Sequence, residues 1–304
     1  MTTEKNKTKL MDLTYDFMFK AVFGNETNMK ALTLLISNYF KIDFNEIEGK
    51  VRIMNSELLK NDKKDKKKCV DIIVEINDNE ILNIEMNANR GNEWSTTIER
   101  NTAYICKIFS EQYRSGDKYN KTKKCIQINF NNFGIDGENN GKAVFMLRNE
   151  SGGNELTKNL EIHYLNMEYM DSMCYNEFTD GEIVKWIKLI KSKTMEELIM
   201  RSEFMDDDTR ETFISEVERL SSDEHIIGLY NAEIEDEIMK NAIREHSKEE
   251  GIEQGIEQGT RQNQKQVVIN MLKDNLDINL ISKYTNLSLK EINKIKINMG
   301  DYCN

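Results

Sequence analysis

Three polar side chains on what reads as one β-hairpin carry the chemistry in this sequence: Asp71, Glu85 and Asn87. Cys69 to Ile76 is rich in β-branched residues, and Ile81 to Asn87 alternates apolar and polar side chains, the pattern of two paired strands. Between them, Asn77-Asp78-Asn79 supplies side chains that tolerate left-handed turn geometry. A three-residue loop pairs Ile76 with Glu80, and that register places Asp71 opposite Glu85. Cross-strand neighbours on one face have Cβ atoms roughly 5 Å apart, so two carboxylates so placed are able to share one divalent cation. Period-two alternation puts Asn83, Glu85 and Asn87 on one face and Leu82, Ile84 and Met86 on the other. The plainer meaning of the same residues is an acidic, solvent-facing hairpin, which is common in antiparallel sheets.

The elements around the hairpin must hold it in place. Asp12 to Phe23 carries apolar residues at helical spacing, with Gly24 as its stop, and Thr27 to Phe40 repeats the pattern. Val51 to Leu58 reads as the first strand. A basic turn, Lys60 to Lys68, leads into the Asp71 strand, and Lys66, Lys67 and Lys68 are candidates to contact phosphates, although a solvated loop is the commoner meaning of such a run. Asn92 to Gly116 is spaced as a long helix on which Arg100, Tyr104 and Lys107 share one side. Cys125 to Phe130, Ala143 to Leu147 and Leu160 to Leu165 read as further strands, with His163 a hydrogen-bonded structural residue among apolar neighbours. From Asp180 onward the pattern is helical, and Asp206-Asp207-Asp208 is the acidic start of a helix, not a metal cluster.

The hairpin and its flanks resemble the core of the PD-(D/E)XK nuclease superfamily, where an Asp opens the second core strand and a (D/E)-x-K follows on the third. The closer resemblance is to the recombination-promoting nuclease and transposase branch. Asp71-Ile72 and Ile84-Glu85-Met86-Asn87 match that branch's Asp-Ile pair and its Ile-Glu-Met-Gln-like strand, and Asp16-Phe17-Met18-Phe19-Lys20 with Phe23-Gly24 matches its opening. The resemblance covers Met11 to about Phe133 well and the rest more loosely. It implies an α/β fold with a restriction-endonuclease-like core: helix, three strands, helix, strand, in a mixed sheet flanked by helices, followed by an α-helical C-terminal region. It also implies metal-assisted hydrolysis of DNA, with Asp71 and Glu85 holding Mg²⁺ or Mn²⁺ and Asp16 as a third metal candidate. Asn87 stands where the superfamily has its lysine. An amide orients a water through hydrogen bonds but brings neither positive charge nor useful basicity. Lys20, Arg100 and Lys107 are the candidates for the missing charge, and Arg100 and Tyr104 match an Arg and a Tyr that pack near the branch's active centre.

At 304 residues the chain is long enough for one large domain or two. No run approaches 18 apolar residues, so no membrane span is expected, and the first residues lack the apolar core of a signal peptide. The five cysteines show no metal-ligand spacing, which argues against zinc and fits a cytoplasmic location. A net charge of −11 argues against nucleic-acid binding by bulk electrostatics, so DNA would have to be held by a local basic patch and by metal.

Glu233 to Gln266 reads as a long charged helix with Gly251, Gly255 and Gly259 along one side, a candidate homodimer seam because small side chains permit close helix approach. Val267 to Lys273, Asn279 to Thr285 and Leu289 to Ile297 read as short helices, the last two spaced as in a helix-turn-helix and capped by Ser288. The expected organisation is a nuclease-like domain over 1–175, a helical extension over 176–232, and the glycine-striped helix with a small helical hairpin over 233–304. The expected function is a metal-dependent DNA endonuclease of the recombination-promoting, transposase-like type. The alternative is a catalytically inactive nuclease fold that acts as a nucleic-acid or protein interaction module.

Overall fold

In the computed structural model, which describes residues 10–54, 72–87, 94–113, 122–134, 141–172 and 181–300, the chain opens with helices. Helix α1 (Asp16–Phe23) ends at Gly24, whose N–H donates to Lys20 O. A Cβ on Gly24 would sit 2.6 Å from that same oxygen, so the turn closes only around glycine. The Asn25 side chain accepts from Asn28 N to start a 3₁₀ turn that runs into α2 (Met29–Phe40). A short α3 (Phe44–Ile47) follows, started by Asp43. Its four residues make little more than one turn, too short for apolar periodicity to reveal.

Strands β1 (Val51–Ile53), β2 (Ile72–Ile76) and β3 (Glu80–Asn87) form an antiparallel meander. Asn77 (φ 52°) and Asp78 (φ 58°) are both left-handed, and Asn79 N donates to Ile76 O at 3.0 Å. Two successive positive φ values match the right-handed twist of the strands, which is why Asn and Asp occupy this turn. The register pairs Ile76 with Glu80 and Ile72 with Ile84. Asp71, the residue before Ile72, lies outside the described residues, as do Lys66, Lys67 and Lys68 and the end of the strand expected at Val51 to Leu58.

Parallel neighbours cannot be joined by a tight turn, and α4 (Trp94–Ser110) supplies the crossover to β4 (Lys124–Asn131), which lies parallel to β3. Strands β5 (Lys142–Met146) and β6 (Leu160–Asn166) complete a six-stranded sheet in the order β1-β2-β3-β4-β6-β5, with β6 parallel to β4 and β5 antiparallel at the edge.

One face of the sheet is apolar. Leu82, Ile84 and Met86 of β3 and Ile126, Ile128 and Phe130 of β4 join one buried cluster with residues of α1 and α2. Helices α5 (Met167–Asp171), α6 (Gly181–Ile190), α7 (Met195–Arg201) and α8 (Asp207–Ser222) contribute to the same cluster. Trp186 is fully buried there, edge-on to Phe23 at 5.9 Å, and Phe213 lies 5.6 Å from Phe23. Burying each such side chain contributes roughly 1.5–3 kcal/mol, so α6, α7 and α8 are held to the sheet by its own core. Helix α8 starts at Asp206, whose carboxylate accepts from Thr209 N at 3.0 Å, a cap and not a ligand set.

Helix α9 (Glu224–Lys273) runs for 50 residues. It begins nine residues before the expected Glu233 because the Asp223 carboxylate accepts from His225 N and Ile226 N directly after α8. It also absorbs Val267 to Lys273, since neither glycine nor proline interrupts it there. The chain forms two compact units, Met1–Glu235 and Asp236–Asn304. In the second, α10 (Ile278–Thr285) and α11 (Leu289–Gly300) close on α9 through the buried Val268, Ile281 and Ile292. Ser288 and Glu291 cap α11 reciprocally, each accepting a backbone N–H of the other. Among the described residues, no helix is long and apolar enough to cross a membrane.

Candidate active site

The second face of the sheet changes character along its length. At one end Ile73, Ile81 and Cys125 pack against Ile105 and Ile108 of α4, a small apolar cluster that pushes the Cys125 thiol up to about 12 by burial. At the other end every side chain on this face of β3 and β4 is polar. The register sets Asn83 beside Gln127, Glu85 beside Asn129, and Asn87 beside Asn131. Strand β6 extends these last two rungs with Tyr164 and Asn166. Glu85 is 4% exposed, Asn87 6%, and the other four β3 and β4 residues 0%. Because β3, β4 and β6 are parallel, this polar end is their shared C-terminal end, the position at which open α/β sheets bind ligands.

Helix α4 lays Thr97, Arg100 and Asn101 onto these rungs. Asn101 Nδ2 donates to Asn129 Oδ1 at 2.7 Å and reaches Tyr164 Oη at 3.5 Å. Gln127 Nε2 donates to the same Asn129 oxygen at 3.0 Å, and Asn129 Nδ2 donates to His163 O at 3.0 Å. Asn83 Nδ2 donates to Glu85 Oε1 at 3.0 Å. Asn87 is held from both sides: its Nδ2 donates to Asn131 Oδ1 at 2.9 Å, and its Oδ1 accepts from Arg100 Nη2. Burial pushes the Tyr164 hydroxyl up, opposed by the Asn101 hydrogen bond and the Arg100 charge, so it stays a neutral donor and acceptor.

Several buried polar atoms here have no hydrogen-bond partner among the described residues. The oxygens are Asn83 Oδ1, Thr97 Oγ1, Asn101 Oδ1 and Gln127 Oε1; the nitrogens are Arg100 Nε and Asn131 Nδ2. Each such group costs about 1–3 kcal/mol unless something outside the chain satisfies it. Carboxylate, amide and hydroxyl oxygens are the ligands that hard divalent cations and their waters take. The residues present therefore fit a hard, hydrated divalent cation better than zinc, whose protein sites are built mainly from Cys and His. Among the described residues, no group of three or more His, Cys, Asp and Glu is placed to hold a metal by itself.

Of the residues singled out from the sequence, the structure brings together Glu85, Asn87 and Arg100. Asp16 is exposed and Lys20 half-buried on α1, whose buried residues join the cluster on the other face of the sheet. Lys107 lies two turns beyond Arg100, toward the apolar end of α4, with its Nζ 3.9 Å from Glu111 Oε1. Tyr104 is half-buried between them on the helix. Sequence reasoning missed Gln127, Asn129 and Asn131, Thr97 and Asn101. The signal for the first three was present, since Gln and Asn at every second position of a strand are unusual unless something needs them. His163, predicted to be structural, accepts or donates at both nitrogens, to Tyr39 Oη at 2.7 Å and Glu161 Oε2 at 3.0 Å, on the apolar side of the sheet.

A family model described as PD-(D/E)XK nuclease family transposase matches residues 13–246, which include the whole sheet and α4. Neither the curated proteins nor the solved structures contain a match to this chain.

Proposed function

Since the chain belongs to the PD-(D/E)XK nuclease family of transposases, with the α/β restriction-endonuclease-like fold, we propose that it is a metal-dependent DNA endonuclease that hydrolyses phosphodiester bonds. The observation that carries this reading is Glu85: a buried carboxylate among hard oxygen atoms that lack partners, at the C-terminal end of the parallel strands. Asp71 is its proposed partner. It adjoins Ile72, and Ile72 pairs with Ile84, the neighbour of Glu85. Asp71 and Glu85 are the residues that would hold Mg²⁺ or Mn²⁺, with Asp16 as a further candidate. The ion would bring positive charge to the scissile phosphate and acidify a bound water.

The protein's own groups do the rest. Asn87 cannot act as the family's lysine, because it has no charge and its amide is already fixed by Asn131 and Arg100. We assign the positive charge to Arg100, whose guanidinium stands on the Asn87 oxygen and whose Nε has no partner among the described residues. In that role Arg100 Nε donates to a non-bridging phosphate oxygen and stabilises charge that develops there. Asn87 and Asn131 position the guanidinium. Lys66, Lys67 and Lys68 remain proposed phosphate contacts, and Lys20 and Lys107 secondary sources of charge. The glycine-lined side of α9 is the proposed homodimer seam: beyond its own helical turn, a Cβ at Gly251, Gly255 or Gly259 meets no atom of the described residues within 4 Å, so packing among them does not require glycine.

The neutral residue at position 87 also supports a second reading, in which the fold is kept as a binding module without catalysis. Nicking and linearisation of plasmid DNA with Mg²⁺, Mn²⁺ or EDTA separates the two. Cleavage that needs metal and vanishes in Glu85→Ala is expected. Equal background activity in both proteins would leave the binding module.

A further inference from the structure

The family match ends at residue 246, and the chain continues for a further 58 residues in which the balance of charge changes along the sequence. The whole protein carries −11, yet residues 258–298 hold seven lysines and arginines against three acidic residues. The stretch before it, 236–257, holds three against seven. The sign of the charge therefore reverses partway along α9, at the point where α10 and α11 begin to pack on it.

The basic part encloses a cavity of about 440 Å³ between α9 and α11. On α9 it is lined by Gln258, Arg261, Gln262 and Lys265, which recur at i, i+3, i+4 and i+7 and so share one helix face. On α11 it is lined by Glu291, Lys294, Ile295 and Asn298, again one face. The same α9 face becomes the core face two turns later at Val268 and Leu272, so the cavity sits beside the packed centre of the unit on fixed helices. Its one carboxylate, Glu291, is engaged by Ser288 N and Oγ, at 2.9 and 2.6 Å, in capping α11. Arg261 also acts on that carboxylate and helps hold it below the usual range, behind the Ser288 hydrogen bonds. What remains to face outward is two lysines, an arginine and several amides.

We propose that this groove binds the phosphate backbone of duplex DNA, with Arg261, Lys265 and Lys294 contacting phosphates and Gln258, Gln262 and Asn298 donating hydrogen bonds beside them. Cations and amides on two fixed helices are the donors that phosphate contacts use, and they give affinity without sequence preference. A protein partner of matching acidity is the competing occupant, but Leu287 and Ile295 are the two apolar side chains that line the groove, and it has no aromatic anchor pocket. The choice of DNA rests on the nuclease reading above; the groove supplies a second hold on the substrate, which an acidic protein needs.

The test is fluorescence anisotropy of a short labelled duplex with the full chain in EDTA, over a range of salt. Arg261→Gln/Lys294→Gln is compared with Lys240→Gln/Lys248→Gln, which removes the same charge from the acidic part of α9. The first pair is expected to bind at least about tenfold more weakly and to lower the slope of log K against log salt by about two. The second pair is expected to match the wild type. Melting temperatures check both, and Lys265→Gln, further from the α11 cap, repeats the test with a single change. Wild-type affinity and slope in Arg261→Gln/Lys294→Gln, equal weakening in the control pair, or no duplex binding by the wild type would each overturn the proposal. Because EDTA removes the metal, plasmid cleavage measured separately keeps the two readings apart: cleavage with unaffected groove variants sinks the groove alone, and groove-dependent binding without cleavage sinks the nuclease alone.

Discussion

If Arg100 supplies the charge that Asn87 lacks, restoring lysine at position 87 should harm the protein instead of improving it. Asn87 is 6% exposed and its side-chain oxygen accepts from Arg100. An ammonium starting from that backbone position lies roughly 4–6 Å from the guanidinium, and two like charges at that separation repel by about 3–4 kcal/mol at an effective dielectric near 20. Asn87→Lys also removes the hydrogen bond to Asn131 Oδ1, worth about 1 kcal/mol. Arg100→Gln leaves the site without its cation, and loss of one preorganised donor to a developing oxyanion costs about 10²- to 10³-fold in rate. The double variant Asn87→Lys/Arg100→Gln moves the charge from helix to strand, removes the repulsion, and should recover more than half of the lost activation free energy. The assay is the initial rate of plasmid nicking in Mg²⁺ for the four proteins of the cycle, with thermal melts of each. A more active Asn87→Lys protein together with an undiminished Arg100→Gln protein would refute the assignment of Arg100.

Two further outcomes follow from the geometry. Burial pushes the His163 imidazole down to about 4, against the pull of Glu161, while the same group in the unfolded chain titrates near 6.5. Between those values the unfolded chain binds the proton and the folded chain does not, so this stability is complete above pH 6.5 and lost as the pH falls, by about 2 kcal/mol at pH 5. Thermal melts at pH 7 and pH 5 should show a smaller acid loss in His163→Gln than in the wild type; parallel losses would count against it. Replacing Gly251, Gly255 and Gly259 by alanine raises helix propensity by about 1 kcal/mol each, and in the isolated chain there is open space for each methyl. If the stripe is a dimer seam, light scattering will nonetheless show a shift toward monomer in the triple variant; an unchanged mass with a higher melting temperature would remove the seam.

Local chemistry made part of this protein legible in advance. The turn residues Asn77 and Asp78 and the length of their loop determine the β2–β3 register, and the register determines which β3 side chains share a face with Glu85. The sequence also marks Asp206 and Ser288 as caps, because a cap is satisfied within a few residues. The other half of the site depends on contacts between distant segments. Asn101 meets Asn129 only because α4 returns across the sheet at one particular offset, and Arg100 meets Asn87 for the same reason. No local pattern carries that offset. The extent of α9 was misread for a different reason: its charged residues have little periodicity, and the decisive residue was the cap Asp223, which also ends α8.

The polar rungs have an energetic meaning that the apolar face makes clear. The same two strands show, on the apolar side, what this sheet does when only stability is at stake: Leu82, Ile84, Ile126 and Ile128 pack without a polar atom. On the other side, at the same depth, six adjacent positions hold amides and one carboxylate, four of them at 0% exposure. Replacing buried polar groups by well-packed apolar ones of similar size is often neutral or stabilising, so folding alone does not account for this layer. The layer also stops where the apolar cluster of Ile73, Ile81 and Cys125 begins, which confines it to the C-terminal end of the parallel strands. A cost borne at one end of one face, with unpartnered oxygens on Asn83, Thr97, Asn101 and Gln127 in the layer that carries Glu85, supports the proposed site for a hydrated cation.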